Sequence, residues 1–271
     1  MMYFLIEKFG LINGWALGAL IVLLRYATFS GMLFLIFYIL WKQAFAKLKI
    51  QPKIPKGHRI WHEVQYSIST AMVFACVGVG IYFLKQMGIT KTYTTISEYG
   101  WFYFVLSFFL LTILHDTYFY WIHRLMHHPR LFPFLHKVHH VSNNPTPFAA
   151  LSFHPFEALI EIGIVPIVTI MIPFHPIVLF LFATWSLFFN VMGHLGYELF
   201  PKGFIYHPIG RWINTSTHHN MHHARSNCNY GLYYNFWDTI MKTNAPDYKQ
   251  VYDRITSNDE VNDYNIKTNH L

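Results

Sequence analysis

Residues 1–41, 66–84, 101–121, 155–173 and 176–200 are predominantly apolar, and short polar stretches separate them. A helix that crosses the hydrocarbon core of a bilayer needs roughly 20 apolar residues. Lipid offers no hydrogen-bond partner to backbone N–H and C=O groups, so crossing segments fold as helices, which satisfy those groups internally. The chain is 54% hydrophobic and 12% charged, against about 25% charged in an ordinary soluble domain. These runs place it among all-α, polytopic membrane proteins. Residues 1–41 are interrupted by Glu7, Lys8 and Arg25. They fit either one tilted span from about Arg25 to Trp41 behind an interfacial helix, or two spans.

The polar stretches give the orientation. Residues 42–63 carry Lys42, Lys47, Lys49, Lys53, Lys56 and Arg59, and short loops rich in Lys and Arg stay in the cytoplasm. Residues 88–100 then lie on the opposite side. The run ending at Trp121 returns the chain to the cytoplasmic face, where Arg124, Arg130 and Lys137 agree with that side. Pro173-Phe174-His175-Pro176 reads as a tight hairpin between two further spans, the first of them short enough to be re-entrant. Residues 202–271 then form a cytoplasmic cap ending in a polar tail. The net charge of +7 is spread over loops. It suits anionic lipid and offers no basic stripe of the kind that binds nucleic acid. Cys76 and Cys228 form no CxxC or haem-attachment motif. The first apolar stretch is too long for a cleavable signal and lacks a small-residue cleavage site.

Fourteen of the 18 histidines fall between His123 and His223, ten of them in three groups. His123 and His127 are an i, i+4 pair. His136, His139 and His140 stand at i, i+3 and i+4, and His219, His222 and His223 repeat that spacing. Residues three or four apart share a helix face, so each group is expected to aim its imidazoles at one spot. Imidazole suits iron, copper, zinc and nickel. A lone pair of this kind is usually structural; three groups in one register read as a metal site. His194, at the cytoplasmic end of the last span, brings the candidate ligands to nine. A structural zinc needs four, so nine suit two ions. Asn190, one turn earlier, is a candidate for a weak oxygen ligand or a water anchor. His218 competes with His219 but breaks the repeat, which makes it a supporting group. His128 points away from the pair, His175 lies across the membrane, and His58, His62, His115, His207 and His270 lie outside the groups.

Other metal chemistries are excluded by pattern. His62-Glu63 lacks the second histidine of HExxH, Tyr66 standing in its place, and no Glu-x-x-His pair of a soluble carboxylate-bridged di-iron bundle occurs. GxSxG, GxGxxG and Walker motifs are absent. A substrate arriving from the bilayer presents unactivated C–H bonds, which acid–base residues do not break. Zinc has no redox chemistry, so a pair of irons fits better.

These residues resemble the fatty acid hydroxylase superfamily of membrane di-iron proteins, which includes the sterol desaturases. The matching pieces are residues 116–127, ending Trp121-Ile122-His123-Arg124-Leu125-Met126-His127, then His136-Lys137-Val138-His139-His140. Asn144-Pro145-Thr146-Pro147-Phe148, His154-Pro155-Phe156-Glu157, Gly193-His194 and residues 217–223 follow, and the match closes on Asn229-Tyr230-Gly231 and Phe236-Trp237-Asp238. The resemblance implies about four core transmembrane helices with a cytosolic histidine-rich cap, two irons, O2, and an external electron donor such as cytochrome b5, ferredoxin or a reductase. The Pro-Thr-Pro-Phe and His-Pro-x-Glu pieces lean toward the sterol desaturase branch and make His154 a further candidate site residue. Lys242-Thr243 stands where the family often has Gly-Thr, and no cytochrome b5 domain is fused to these residues. Asp116 either orients an imidazole two turns along its helix or pairs with Arg124 or Arg211. Trp237-Asp238 reads as a packing and hydrogen-bonding element of the cap.

The expected organisation is an N-terminal transmembrane region at 1–100, a catalytic region at 101–245 and a polar tail at 246–271. The expected activity is O2-dependent hydroxylation or desaturation of a lipid, most simply a sterol-like one. A fatty acyl or alkylglycerol hydroxylase, and a non-catalytic lipid-binding protein that keeps its metals for folding, are the competing readings.

Overall fold

The computed structural model describes residues 1–257. A short helix, α1 (Met2–Phe9), folds back on α2 (Leu11–Phe34), which continues as a π-helical segment to Leu40. The first region is therefore one span, Leu11–Leu40, and Arg25 lies in its middle rather than at its start. Pro52 and Pro55 keep the following loop out of helix, and α3 (Gly57–Gln86) starts directly after them. Then come α4 (Gly100–Met126), two single-turn helices α5 (Phe132–Leu135) and α6 (Lys137–His140), α7 (Pro155–Ile162), α8 (Ile164–Met171) and α9 (Pro176–Gly193). The cap holds α10 (Ser216–Arg225), α11 (Phe236–Ile240) and α12 (Tyr248–Thr256). Among the described residues, four helices are long and apolar enough to cross a membrane: Leu11–Leu40, α3, α4 and α9.

The expected continuous span over 155–173 is corrected. It is two eight-residue helices that meet at Gly163, each about 12 Å long. Buried Glu157 and Glu161 interrupt the apolar pattern of the first, and Pro166 sits in the first turn of the second, where no helical N–H is lost. Together they still carry the chain to the far end of the bundle. There Lys91 N donates to Thr169 O (2.8 Å), Tyr93 N to Phe174 O (3.2 Å), and His175 Nε2 lies 3.1 Å from Thr94 O. His175 is thus remote from the other histidines, as its hairpin position predicts.

At the opposite end the spans seat the cap. Residues 147–151 form a 3-10 turn wedged between α2, α3 and α9. Tyr26 Oη donates to Phe148 O (2.8 Å), Ser30 Oγ to Pro147 O (2.9 Å) and Asn190 Nδ2 to Ala150 O (2.7 Å). The loop after the first span joins the cap: Ile50 N donates to Gly196 O (3.0 Å) and Glu198 N to Leu48 O (2.9 Å). A second apolar core lies within the cap, built on Ile205, Met221, Cys228, Tyr248, Val251, Tyr252 and Ile255. The tail expected from residue 246 therefore begins as a packed amphipathic helix, α12, and residues 258–271 with His270 lie outside the described part.

Candidate metal centre

The nine predicted histidines converge, but not group by group. His123, His127, His136, His140 and His222 form one set, and His139, His194, His219 and His223 a second; within each set one ligand atom per residue lies within 4.8 Å of the others. The i, i+3, i+4 triples are therefore split two to one, which corrects the expectation of one spot per triple. Adjacent helical residues diverge by about 100°. His139 and His140 accordingly face different sets from the single turn of α6, as His222 and His223 do from α10. The sets adjoin: the rings of His140 and His223 stack at 4.8 Å between centroids.

Local sequence explains the placement. His123 lies in the last turn of α4, and His127 is its C-cap. Thr215 caps α10, its side chain accepting from His218 N (3.2 Å), and Ser226 closes the helix in the left-handed region at φ 63°. His194 follows the last turn of α9. Seven of the nine histidines are buried, and His127 and His140 are half-buried.

The decisive feature is what holds the other ring nitrogens. Nδ1 of His123 meets Tyr230 O (2.7 Å), of His222 Cys228 O (2.7 Å), of His223 Ser142 O (3.0 Å), of His194 Asn190 O (2.7 Å) and of His139 Ser152 O (3.3 Å). His136 Nδ1 lies 2.6 Å from Glu157 Oε1, with both side chains buried. A carbonyl oxygen only accepts, so these Nδ1 atoms carry the hydrogen and each Nε2 is left with a bare lone pair. Yet the Nε2 atoms face one another: His123 to His136 at 3.0 Å, His194 to His223 at 3.0 Å, His139 to His194 at 3.3 Å. Neutral rings held this way share no hydrogen across those contacts, and the lone pairs repel unless a cation lies among them. Nitrogens bound to one ion at about 2.1 Å sit about 3.0–3.4 Å apart across octahedral or tetrahedral edges. The donor set fits a metal in each group.

Burial works in the same direction. It holds the imidazoles of His127, His136, His139, His140, His219, His222 and His223 well below the ordinary histidine range, and neighbouring histidines add to this. His194 is pushed down to about 4, again by burial first. The rings stay neutral and available as ligands at neutral pH.

A family model described as fatty acid hydroxylase matches residues 108–243, a stretch that contains all nine histidines. The chain belongs to the fatty acid hydroxylase family. Among its curated relatives, a Delta(7)-sterol 5(6)-desaturase of Gibberella zeae is 30% identical over 205 residues, which cover 70% of this chain and 58% of that protein. The lathosterol oxidase of Rattus norvegicus is 29% identical over 226 residues, covering 83% of this chain and 71% of the relative. A Delta(7)-sterol 5(6)-desaturase of Aspergillus fumigatus is 28% identical over 199 residues, or 67% of this chain and 61% of that one. The alignments thus span 58% to 71% of these relatives. No solved structure matches.

Within this fatty acid hydroxylase chain the secondary candidates take other places. Among the described residues, Asp116 hydrogen-bonds to neither an imidazole nor an arginine. Its Oδ1 accepts from Tyr233 N (2.8 Å) and Tyr234 N (3.2 Å), which moors the 230–234 loop to α4. The Asn190 side chain is spent on Ala150 O, and its contribution to the centre is its backbone carbonyl. His154 caps α7, accepting from Phe156 N (3.3 Å). His218 stays outside both sets, with Nε2 3.1 Å from Asn244 Oδ1 and 3.7 Å from Asp238 Oδ2. His128 accepts from Arg130 N (3.3 Å), away from the centre. Asp238 is the keystone of the closing motif: Tyr230 N (2.9 Å), Gly231 N (2.7 Å) and Thr243 Oγ1 (2.6 Å) all donate to it. Sequence reasoning missed Glu157 as a histidine partner, although it stands in the quoted His-Pro-x-Glu piece, and Ser226, whose Oγ lies 3.0 Å from His140 Nδ1.

Proposed function

We propose that this chain is an O2-dependent di-iron oxidoreductase that hydroxylates or desaturates a C–H bond of a membrane lipid, with a sterol as the first substrate to test. The observation that carries the reading is the pair of adjoining Nε2 clusters in which six of the nine Nδ1 atoms are already committed to carbonyl or carboxylate acceptors. His123, His127, His136, His140 and His222 would hold one iron and His139, His194, His219 and His223 the other. Imidazole-only donors suit iron, and membership of the fatty acid hydroxylase family points the same way. The relatives, sterol desaturases and lathosterol oxidases by name, support the sterol.

Two bound irons, with O2 and electrons from a donor such as cytochrome b5, ferredoxin or a reductase, supply the oxidant for an unactivated C–H bond. The protein's own part is to fix and shield. Five backbone carbonyls and the Glu157 carboxylate lock the ring orientations, so the ligands need little reorganisation. Phe119 packs on His123 at 4.9 Å, Phe153 on His139 at 5.1 Å, and Phe132 on His127 at 5.4 Å and on His140 at 5.5 Å, which excludes water from the donors. The basic loop at 42–63 supports a cytoplasmic position for the cap, and residues 101–245 form the catalytic region.

The test is to purify the chain and count iron, then supply a reductase, O2 and a sterol. About two irons per chain and lipid product that vanishes in His139→Ala are expected. Iron-free protein that still turns over lipid would overturn the reading. Isotopically labelled O2 separates the two outcomes, because a hydroxylated product keeps the oxygen and a desaturated one does not.

A further inference from the structure

The two histidine sets differ in what holds them from behind. The rings of the first set are held by Tyr230 O, Cys228 O, Glu157 and Ser226, all within the stretch that the family model matches. The second set takes two of its acceptors, Ser142 O and Ser152 O, from the two ends of one loop, and a third, Asn190 O, from α9. Residues 142–146 of that loop lie outside any helix, so what they bond to sets where they stand. Their partners come from residues 26–67, upstream of the matched stretch. Gln51 Nε2 donates to Asn143 O (2.9 Å), and Asn144 Nδ2 donates to Lys53 O (2.6 Å). Arg59 donates to Val141 O. Both oxygens of the Glu63 carboxylate accept from Thr146, one from its N (3.4 Å) and the other from its hydroxyl. Ser67 Oγ joins Tyr26 in donating to Phe148 O (3.1 Å).

Gln51 Nε2 also donates to Asn220 Oδ1 (2.9 Å), on α10 between His219 and His223. One amide group thus ties the loop that orients His223 to the helix that carries it. The same region holds the chain that follows His194: Tyr38 Oη donates to Leu195 O (2.8 Å), beside the Ile50–Gly196 and Leu48–Glu198 bonds. Among the described residues, no hydrogen bond from residues 1–100 ends on Tyr230, Cys228, Glu157 or Ser226. Glu63 and Thr146 are both 0% exposed, so neither can exchange its partner for water, and an unmade bond there is costly. A partner on Nδ1 fixes the tautomer and direction of a metal-binding ring. Whatever moves Ser142 O therefore acts on His223, and through it on the second set. A clasp with no such direction would act on both sets alike, because His139 and His140 share the single turn of α6, as His222 and His223 share α10.

We propose that Gln51 and Glu63 are positioning residues for the second histidine set, so that the region upstream of the family-matched stretch sets the metal affinity of one site and not of the other. This rests on the metal reading above and deepens it. The purified full chain is titrated anaerobically with ferrous iron against a competing chelator, in two backgrounds. His222→Ala leaves the second set whole, and His139→Ala leaves the first. In the His222→Ala background, Gln51→Met, which keeps the length of the side chain and removes its donors, is expected to weaken the remaining site about tenfold, the lower end of what outer partners of bound imidazoles are worth. Glu63→Gln should do the same, and the two variants, at separate points of the clasp, guard against one that fails to fold. In the His139→Ala background the same substitutions should change the remaining site by less than about twofold, as for independent positions. Equal weakening in both backgrounds, or a second set unmoved by either substitution, would overturn the positioning role. A wild type that takes up no iron would remove the metal reading and this inference with it, whereas two filled sites that respond alike remove this inference alone.

Discussion

Glu157→Gln tests how the first histidine set is held. Glu157 Oε1 meets His136 Nδ1 at 2.6 Å with the two side chains 0% and 2% exposed, while Oε2 has no partner among the described residues. Glutamine keeps the shape and the accepting oxygen and removes the charge, so a charge-assisted bond becomes a neutral one of roughly half the strength. Outer partners of metal-bound imidazoles are typically worth 10–100-fold in metal affinity, or about 1.4–2.8 kcal/mol. The loss should be confined to the set containing His136. His139, only three residues on, takes its orientation from Ser152 O and belongs to the other set. Anaerobic titration of the purified chain with ferrous iron against a competing chelator reads this directly. The wild type should fill two sites, and the variant should keep one at full strength and show the second weakened by one to two decades. Equal weakening of both sites would mean that the sets are not independent. An unchanged second site would mean that Glu157 does not orient a ligand, and the argument from Nδ1 partners would fail with it.

Removing a donor should act set by set as well: His222→Ala and His139→Ala are each expected to drop bound iron from about two to about one per chain, by elemental analysis, with product formation falling by more than the roughly 100-fold ceiling for an outer partner. Asp238→Asn leaves at least one of three buried donors facing an amide NH2; a loss of about 2–3 kcal/mol, seen as a lower thermal midpoint in detergent, is expected, and an unchanged midpoint would contradict its keystone role. Gly196→Ala puts a Cβ 2.6 Å from the Tyr38 hydroxyl at φ +75°, so it should cost more than about 1 kcal/mol and loosen the strand of chain that follows His194. The pH dependence follows from the lowered histidines. The unfolded chain takes up protons near pH 6.5 while the folded cap does not, so stability is complete above that pH and falls as pH drops toward the folded values, by up to about 1.4 kcal/mol per pH unit for each proton. Thermal midpoints of metal-stripped protein between pH 8 and 5 should show that decline, and a flat profile would refute it.

How far the sequence reaches is set by which partner each group needs. A span needs only lipid around it, so its signal lies wholly in its own composition, and α3, α4 and α9 stand where the apolar runs predict. The traverse through α7 and α8 is harder to read, because Glu157 and Glu161 are polar residues facing protein rather than lipid, and only their neighbours in the fold account for them. The nine histidines announce themselves by number and register. Their division into two sets does not, since it depends on helices of one turn whose faces are fixed by tertiary contacts: His139 looks toward α9 because residues 147–151 are clamped between α2, α3 and α9. The proton positions are further still from the sequence. Five of the Nδ1 acceptors are backbone carbonyls, which any residue type supplies, so no motif can mark them. What a motif can mark is the carboxylate that holds such a carbonyl in place. Asp238 binds Tyr230 N, and Tyr230 O binds His123; Asp116 moors the same loop to the helix that bears His123. The invariant chemistry of the site therefore sits in the imidazoles, while its geometry is set one bond further out, by two aspartates that never touch a ligand. Replacing either should disturb the first set before the second, because the 230–234 loop touches His123 and leaves the Nδ1 partners of His139, His194 and His223 untouched.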